Sequence, residues 1–176
     1  MIFQKLYSNF GKKSEITMKT TTISIPICIK DEAELTAQET QLLNEAKRAT
    51  YRSYSPYSHF SVGAAVELDD GTLVSGSNQE NVAYPSGLCA ERTTVFYANS
   101  RYPDVAVRRI CIAARDTNGQ FCQRPIPPCG ACRQVLLETE QRAGHDIEVL
   151  LYGTEGTYCL RNVKDLMPLT FDSSYL

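Results

Sequence analysis

The sequence predicts an α/β fold, a three-layer α/β/α sandwich around a mixed central sheet, and three patterns lead there. Phe60, Val62, Ala64, Val66 and Leu68 alternate with Ser61, Gly63, Ala65 and Glu67, and Asp70-Gly71 follows where a hairpin would reverse. Ile110-Cys111-Ile112-Ala113-Ala114 is a short continuous apolar run, which suits a strand covered on both faces and therefore a sheet with helices on either side. Segments of helical spacing alternate with these strands along the chain, the order that α/β layers require.

Taken in order, residues 1–17 are polar without a sustained period, and Met18-Lys19-Thr20-Thr21 resembles a second start, so 1–17 reads as a disordered extension and 18–176 as the domain. Ile23, Ile25, Ile27 and Ile29 have strand period, with Pro26 excluding a central strand. Thr36-Ala37-Gln38-Glu39 has the form of a capping box and opens a helix carrying Leu42, Leu43, Ala46 and Ala49 on one face. Ser53, Ser55, Pro56 and Ser58 end that pattern in a turn before the hairpin, whose return strand holds Leu73 and Val74. A loop is expected over 75–87, and a second helix from Cys89 through Ala98, ended before Pro103.

A polar loop, Asp116 to Gln123, and the prolines Pro125, Pro127 and Pro128 lead into a third helix over 130–142. Strands at Ile147–Leu151 and Thr157–Leu160 and a helical turn at Val163–Leu166 complete the expectation.

At 176 residues the chain suits one domain with one sizeable core. Hydrophobic residues at 43% and charged residues at 22% exclude disordered and fibrous classes. A net charge of −2 with dispersed Lys and Arg lacks the electrostatic footprint of a nucleic-acid binder and favours a small substrate. Lys5, Lys12 and Lys13 interrupt the opening segment, so neither a signal peptide nor a membrane span is expected. Seven cysteines without such a segment point to reduced thiols in a cytoplasmic protein.

Three of those cysteines carry the chemistry. Cys129 and Cys132 in Pro-Cys-Gly-Ala-Cys are three residues apart, so at a helix start they can grip one ion, and Cys89 lies 40 residues upstream beside Glu91. Three thiolates with one nearby carboxylate leave a fourth position for a water that Glu91 can deprotonate, the pattern of a zinc-dependent hydrolase with one Zn²⁺ per chain. Both thiolate-bearing segments fall at helix N-termini, whose partial positive charge offsets the sulfurs. Arg92 adds a charge-assisted bond to a sulfur. The competing reading is a structural zinc knot closed by Cys111 or Cys122, which would have no use for Glu91. Cys28, Cys111 and Cys159 suit small buried core positions. His59 and His145 lack ligand spacing.

With these motifs placed, the chain from about Tyr51 to Phe171 resembles a cytidine deaminase of the small homotetrameric type. Pro56-Tyr57-Ser58-His59-Phe60 with Val62-Gly63-Ala64-Ala65, Asn78-Gln79-Glu80-Asn81 with Tyr84-Pro85, Cys89-Ala90-Glu91-Arg92-Thr93, and Pro128-Cys129-Gly130-Ala131-Cys132-Arg133-Gln134 carry the resemblance in family order. It implies that Phe60 packs on the pyrimidine, Asn78 and Glu80 hydrogen-bond the ribose, the Ala90 amide holds the base carbonyl, and the Pro127 carbonyl accepts from the leaving amine. It further implies a homotetramer with shared sites, Phe171 reaching a neighbour's bound base and Tyr84 lying at a subunit contact, and a role in pyrimidine salvage. Ser61 stands where the family usually has Pro, and Pro127 where it often has Ser. A deaminase of another aminopyrimidine nucleoside, such as a blasticidin-type antibiotic, and a non-enzymatic zinc module are the alternatives. Polynucleotide editing conflicts with Glu80, whose charge would face a backbone phosphate.

Overall fold

A computed structural model describes residues 19–176; the expectation of a disordered 1–17 lies outside the described residues. The chain forms β1 (Cys28–Lys30), α1 (Ala37–Ala49), β2 (Ser61–Leu68), β3 (Leu73–Ser77), α2 (Ala90–Arg101), β4 (Val107–Arg115), α3 (Gly130–Ala143), β5 (Glu148–Leu151) and β6 (Thr157–Leu160). The sheet order is β1-β6-β5-β4-β2-β3. Among the described residues only β4 and β5 run parallel, and they are the pair joined by a helix, α3; the other neighbours are antiparallel.

Side-chain alternation divides the core into two clusters, one on each face of the sheet. Ala64 and Val66 of β2, Ile110 and Ile112 of β4, and Val149 and Leu151 of β5 pack with Val95 and Ala98 of α2 and Leu136 and Leu137 of α3. Their neighbours Ala65, Cys111, Ala113 and Leu150 point the other way, against Leu42, Leu43 and Ala46 of α1. The three layers are thus α1, the sheet, and α2 with α3, as the continuous apolar run at 110–114 requires.

Local rules explain the helix start and the close packing. The Thr36 hydroxyl accepts from Glu39 N–H at 3.2 Å while the Glu39 carboxylate accepts from Thr36 N–H at 2.7 Å, the reciprocal box read from the sequence. Gly63 lets α1 lie directly on β2: a Cβ there would sit 2.2 Å from the Ala46 carbonyl oxygen. Gly76 does the same for α2, since its Cβ would come 2.8 Å from Thr94 Oγ1. Thr94, in turn, donates to the carbonyls of Ala64 at 3.2 Å and Ala90 at 2.7 Å, pinning the first turn of α2 to the sheet.

Three expectations change. The strand over Ile23–Ile29 contracts to Cys28–Lys30, because Pro26 has no N–H for a ladder; Ile23, Ile25, Ile27 and Ile29 are all exposed. The loop over 75–87 begins three residues later than Ser75, at Asn78, since Ser75, Gly76 and Ser77 pair with Ala65, Ala64 and Gly63 in β3; their polar sequence carries no strand signal. The second helix ends at Arg101, before Pro103 as expected. Cys28 is exposed and Cys159 half-buried, so of the three cysteines assigned to the core only Cys111 is there. Among the described residues, no helix is long and apolar enough to cross a membrane.

Candidate metal centre and active site

Cys89 is the N-cap of α2 and Cys129 the N-cap of α3, both with extended backbone, and neither side chain caps its own helix. Their thiols are therefore free to turn toward each other. Cys132 lies one turn into α3 and is fully buried. The Sγ atoms of Cys89 and Cys129 are 3.8 Å apart, those of Cys129 and Cys132 3.5 Å apart, and all three fall within 4.8 Å of one another. A tetrahedral zinc with bonds of about 2.3 Å needs sulfurs about 3.8 Å apart, so the thiols already occupy one face of its coordination tetrahedron. Among the described residues this is the one cluster able to hold a metal. Cys111 faces α1 on the opposite side of the sheet and Cys122 is outside the cluster, so neither closes it as a knot.

The cluster's electrostatics suit a cation. A hydrogen bond from Cys132, reinforced by Arg92 against the cost of burial, brings the Cys89 thiol down to about 5, and the same contact holds Cys132 up. Arg92 Nη2 lies 3.9 Å from Cys89 Sγ, the bond to sulfur expected from the sequence, and the sulfur raises the guanidinium's own pKa. Glu91, the second residue of α2, is only 5% exposed. Burial pushes its carboxyl up, aided by charge on Cys89, while contact with the Cys132 thiol and Arg92 pulls the other way. A carboxyl poised in this way is suited to taking up and releasing protons. The first-turn N–H of Ala90 has no intrahelical acceptor and remains available to a ligand carbonyl.

Beside the thiols lies a cavity of about 540 Å³, a volume suited to a small metabolite, with Tyr57, Asn78, Glu80, Tyr84, Cys89 and Arg92 in its wall. Asn78 is fixed before any ligand arrives. Its Oδ1 accepts from Val62 N–H at 2.8 Å and Ser53 Oγ at 2.6 Å, and Nδ2 donates to the Phe60 carbonyl at 2.9 Å. One N–H of the amide is left to donate. The Glu80 carboxylate accepts from the Ser58 hydroxyl, from Tyr57 N–H at 2.9 Å and from Ser58 N–H at 3.3 Å. The Ser58 hydroxyl, with these amides, holds its carboxyl below the usual range, so Glu80 presents an acceptor.

Of the expected site residues, Ala90, Glu91, Cys129 and Cys132 lie behind this wall at the starts of α2 and α3, and Phe60, Pro127 and Phe171 stand apart from it. Phe60 is half-buried just before β2, with its N–H donating to Ser58 Oγ at 3.1 Å. Pro127 borders a separate cavity of about 480 Å³ with Ile25, Ile27 and Leu160. Phe171 is 62% exposed and stacks on Tyr175 with ring centroids 5.7 Å apart, so it does not cap its own core. Tyr84 is 75% exposed and meets Tyr57 edge-on at 5.9 Å.

Two supporting residues were not singled out from the sequence. Ser53 orients Asn78, and Arg133 braces the Pro-Cys segment by donating to the carbonyls of Pro128 at 2.9 Å and Leu166 at 2.8 Å. Ser53 carries no signal beyond turn chemistry. Arg133 does, as a cation directly after a ligand cysteine in a helix whose preceding carbonyls need donors.

A family model described as the cytidine and deoxycytidylate deaminase zinc-binding region matches residues 36–143. The chain is 39% identical over 132 residues to a cytidine deaminase of Halalkalibacterium halodurans, covering 74% of this chain and 91% of that one. It is 38% identical over 136 residues to a cytidine deaminase of Sporosarcina psychrophila, covering 77% and 93%. The crystal structure of cytidine deaminase from Burkholderia pseudomallei superposes with a TM-score of 0.64 at 35% identity, covering 78% of this chain and all of that one. Fold, thiol cluster and relatives agree: the chain belongs to the cytidine and deoxycytidylate deaminase family.

Proposed function

We propose that this protein is a zinc-dependent cytidine deaminase, converting cytidine and 2′-deoxycytidine to uridine and 2′-deoxyuridine with release of ammonia. The observation that carries the reading is the buried Glu91 beside three converging thiols, next to a cavity edged by Asn78 and Glu80. Zinc held by Cys89, Cys129 and Cys132 supplies the Lewis acidity that lets water act as a nucleophile near neutral pH.

The chain's own groups do the rest. Asn78 donates its remaining amide hydrogen to a ribose hydroxyl and Glu80 accepts from one, which orients the nucleoside with its base toward the thiols. The Ala90 amide at the start of α2 donates to the base carbonyl, and Phe60 packs on the ring. Glu91 takes a proton from the attacking water and delivers it to N3 of the pyrimidine, making C4 electrophilic; it then carries the proton of the new C4 hydroxyl to the amino group, which donates a hydrogen bond to the Pro127 carbonyl and leaves as ammonia while C4=O forms. Arg92 draws charge from Cys89, so the three sulfurs do not cancel the metal's acidity.

The domain occupies 18–176 with 1–17 as an extension. The working form is a cytoplasmic homotetramer serving pyrimidine salvage. Phe171 and Tyr84 project from the surface of the single chain, which supports their use in a neighbour's site and at a subunit contact. Absorbance assays with cytidine, deoxycytidine and deoxycytidine 5′-monophosphate, alongside metal analysis, test this. Turnover of both nucleosides, one zinc per chain and a poor reaction with the nucleotide are expected. A faster reaction with the nucleotide, or active protein without zinc, refutes the assignment.

A further inference from the structure

On the opposite face of the sheet from the metal centre, a row of side chains crosses four strands. Cys111 of β4 is in register with Leu150 of β5, Leu150 with Cys159 of β6, and Cys159 with Cys28 of β1. Register partners share a face, so Cys28 and Cys159 stand side by side on the α1 side, where Cys159 packs against the smaller core cluster. Directly opposed residues in an antiparallel pair have Cα atoms about 4.5 to 5.5 Å apart, inside the span of about 4.4 to 6.8 Å that a disulfide bridges. Cys111 is separated from Cys159 by the whole width of β5 and cannot reach it. The two thiols also share a cavity of about 370 Å³ with Pro26, Lys30, Glu39 and Arg161, which gives solutes access to both. Neither has any part in the metal cluster.

We propose that Cys28 and Cys159 form a thiol–disulfide site that reacts with small-molecule disulfides of the glutathione type and closes covalently across the β1–β6 edge. The Cys28 thiolate attacks one sulfur of the small disulfide, forming a mixed disulfide and releasing one small thiolate. Cys159 then attacks the Cys28 sulfur, forms the Cys28–Cys159 bond and expels the second small thiol. Two protein thiols are oxidised and one small disulfide is reduced to two thiols.

The order of attack follows from exposure, since Cys28 is open to solvent and Cys159 half-covered. Burial holds the Cys159 thiol up at about 11, although the Lys30 ammonium draws it down, so Cys159 is a poor first nucleophile. As the second it is already adjacent to its target, and proximity replaces acidity. Among the described residues, three-residue β1 is the terminal strand of the sheet, bound on one side only, and can make the shift of up to about an ångström that takes opposed Cβ atoms to disulfide range. The product ties the segment before α1 to the end of the sheet, with the two cysteines far apart in sequence, the case in which a cross-link restricts the unfolded chain most.

The test uses the zinc-loaded full-length protein, equilibrated with glutathione and glutathione disulfide at stepped ratios, alkylated, and mapped by peptide mass spectrometry. The expected result is a Cys28–Cys159 linked peptide forming before any of the other five cysteines changes, with deaminase activity retained and the melting temperature raised by roughly 5 to 15 °C. Cys28→Ser and Cys159→Ser should each abolish the link and the shift, and Cys159→Ser should stop at a mixed disulfide on Cys28. A wild-type protein that also stops at the mixed disulfide, links Cys28 to another cysteine, or stays reduced at every ratio overturns the proposal.

Discussion

Truncating Phe171 to alanine separates two roles for the C-terminal segment, and the structure sets the size of each effect. The ring is 62% exposed, so roughly two-fifths of its surface is covered, and full burial of such a side chain stabilises by about 1.5 to 3 kcal/mol. The covered part therefore contributes about 1 kcal/mol, and the stacking on Tyr175 falls within or slightly above that. Phe171→Ala should lower the melting temperature by only about 2 to 4 °C, whereas a phenylalanine seated in the core would cost about 3 to 5 kcal/mol. The hydrogen bond from the Gln134 side-chain Nε2 to the main-chain carbonyl of Phe171, at 3.1 Å, survives the change and keeps the segment in place. If the exposed ring stacks on the base bound by a neighbouring subunit, its loss should reduce kcat/KM by a factor corresponding to about 1 to 3 kcal/mol, roughly 5- to 150-fold. Steady-state kinetics, differential scanning calorimetry and sedimentation on the same samples read all three quantities. A destabilisation above about 3 kcal/mol, or unchanged kinetics in an intact tetramer, would refute the reasoning.

Glu91→Gln keeps the shape of a side chain that is 5% exposed, so fold and zinc content should be retained while turnover falls at least about 100-fold; more than about one per cent residual activity contradicts the proton-carrying role. Arg92→Ala removes the donor 3.9 Å from Cys89 Sγ and should both slow turnover and speed zinc loss to a chelator, with the mutant's metal release followed colorimetrically; no change in either rules the role out. At Glu39, burial raises the carboxyl, but the hydrogen bonds from Lys30 and Thr36 together outweigh it, and the folded value lies below 4.5. Its contribution is therefore fully present above pH 4.5 and is lost as pH falls through the lower folded value, so the stability gap between wild type and Glu39→Gln should narrow on acidification; a gap constant from pH 7 to about 3 would show that the ion pair with Lys30 is not its source.

Much of the site was legible because its chemistry is local. Cys129 and Cys132 share one helix start, and Cys89, Ala90, Glu91 and Arg92 are consecutive, so spacing alone specified a three-thiol grip with a carboxylate and a cation beside it. The layered fold was legible for the same reason: the capping box at Thr36 and the apolar run at 110–114 encode their own environments within a few residues.

What the sequence could not determine were the properties decided by neighbours distant in the chain. Ser75-Gly76-Ser77 is a strand because β2 offers it a ladder, whereas the isoleucines before Cys28 alternate like a strand but Pro26 lacks the ladder donor. The two-sided burial of β2 depends on α1 closing over Gly63. Asn78 is oriented by Ser53 and Val62, 25 and 16 residues away, and Cys28 meets Cys159 only because β1 lies down beside β6. Ligand identity and helix starts depend on residue type and short spacing, which the sequence by itself determined; exposure, partner choice and register depend on which surfaces come to lie against each other, and those the tertiary structure alone decided.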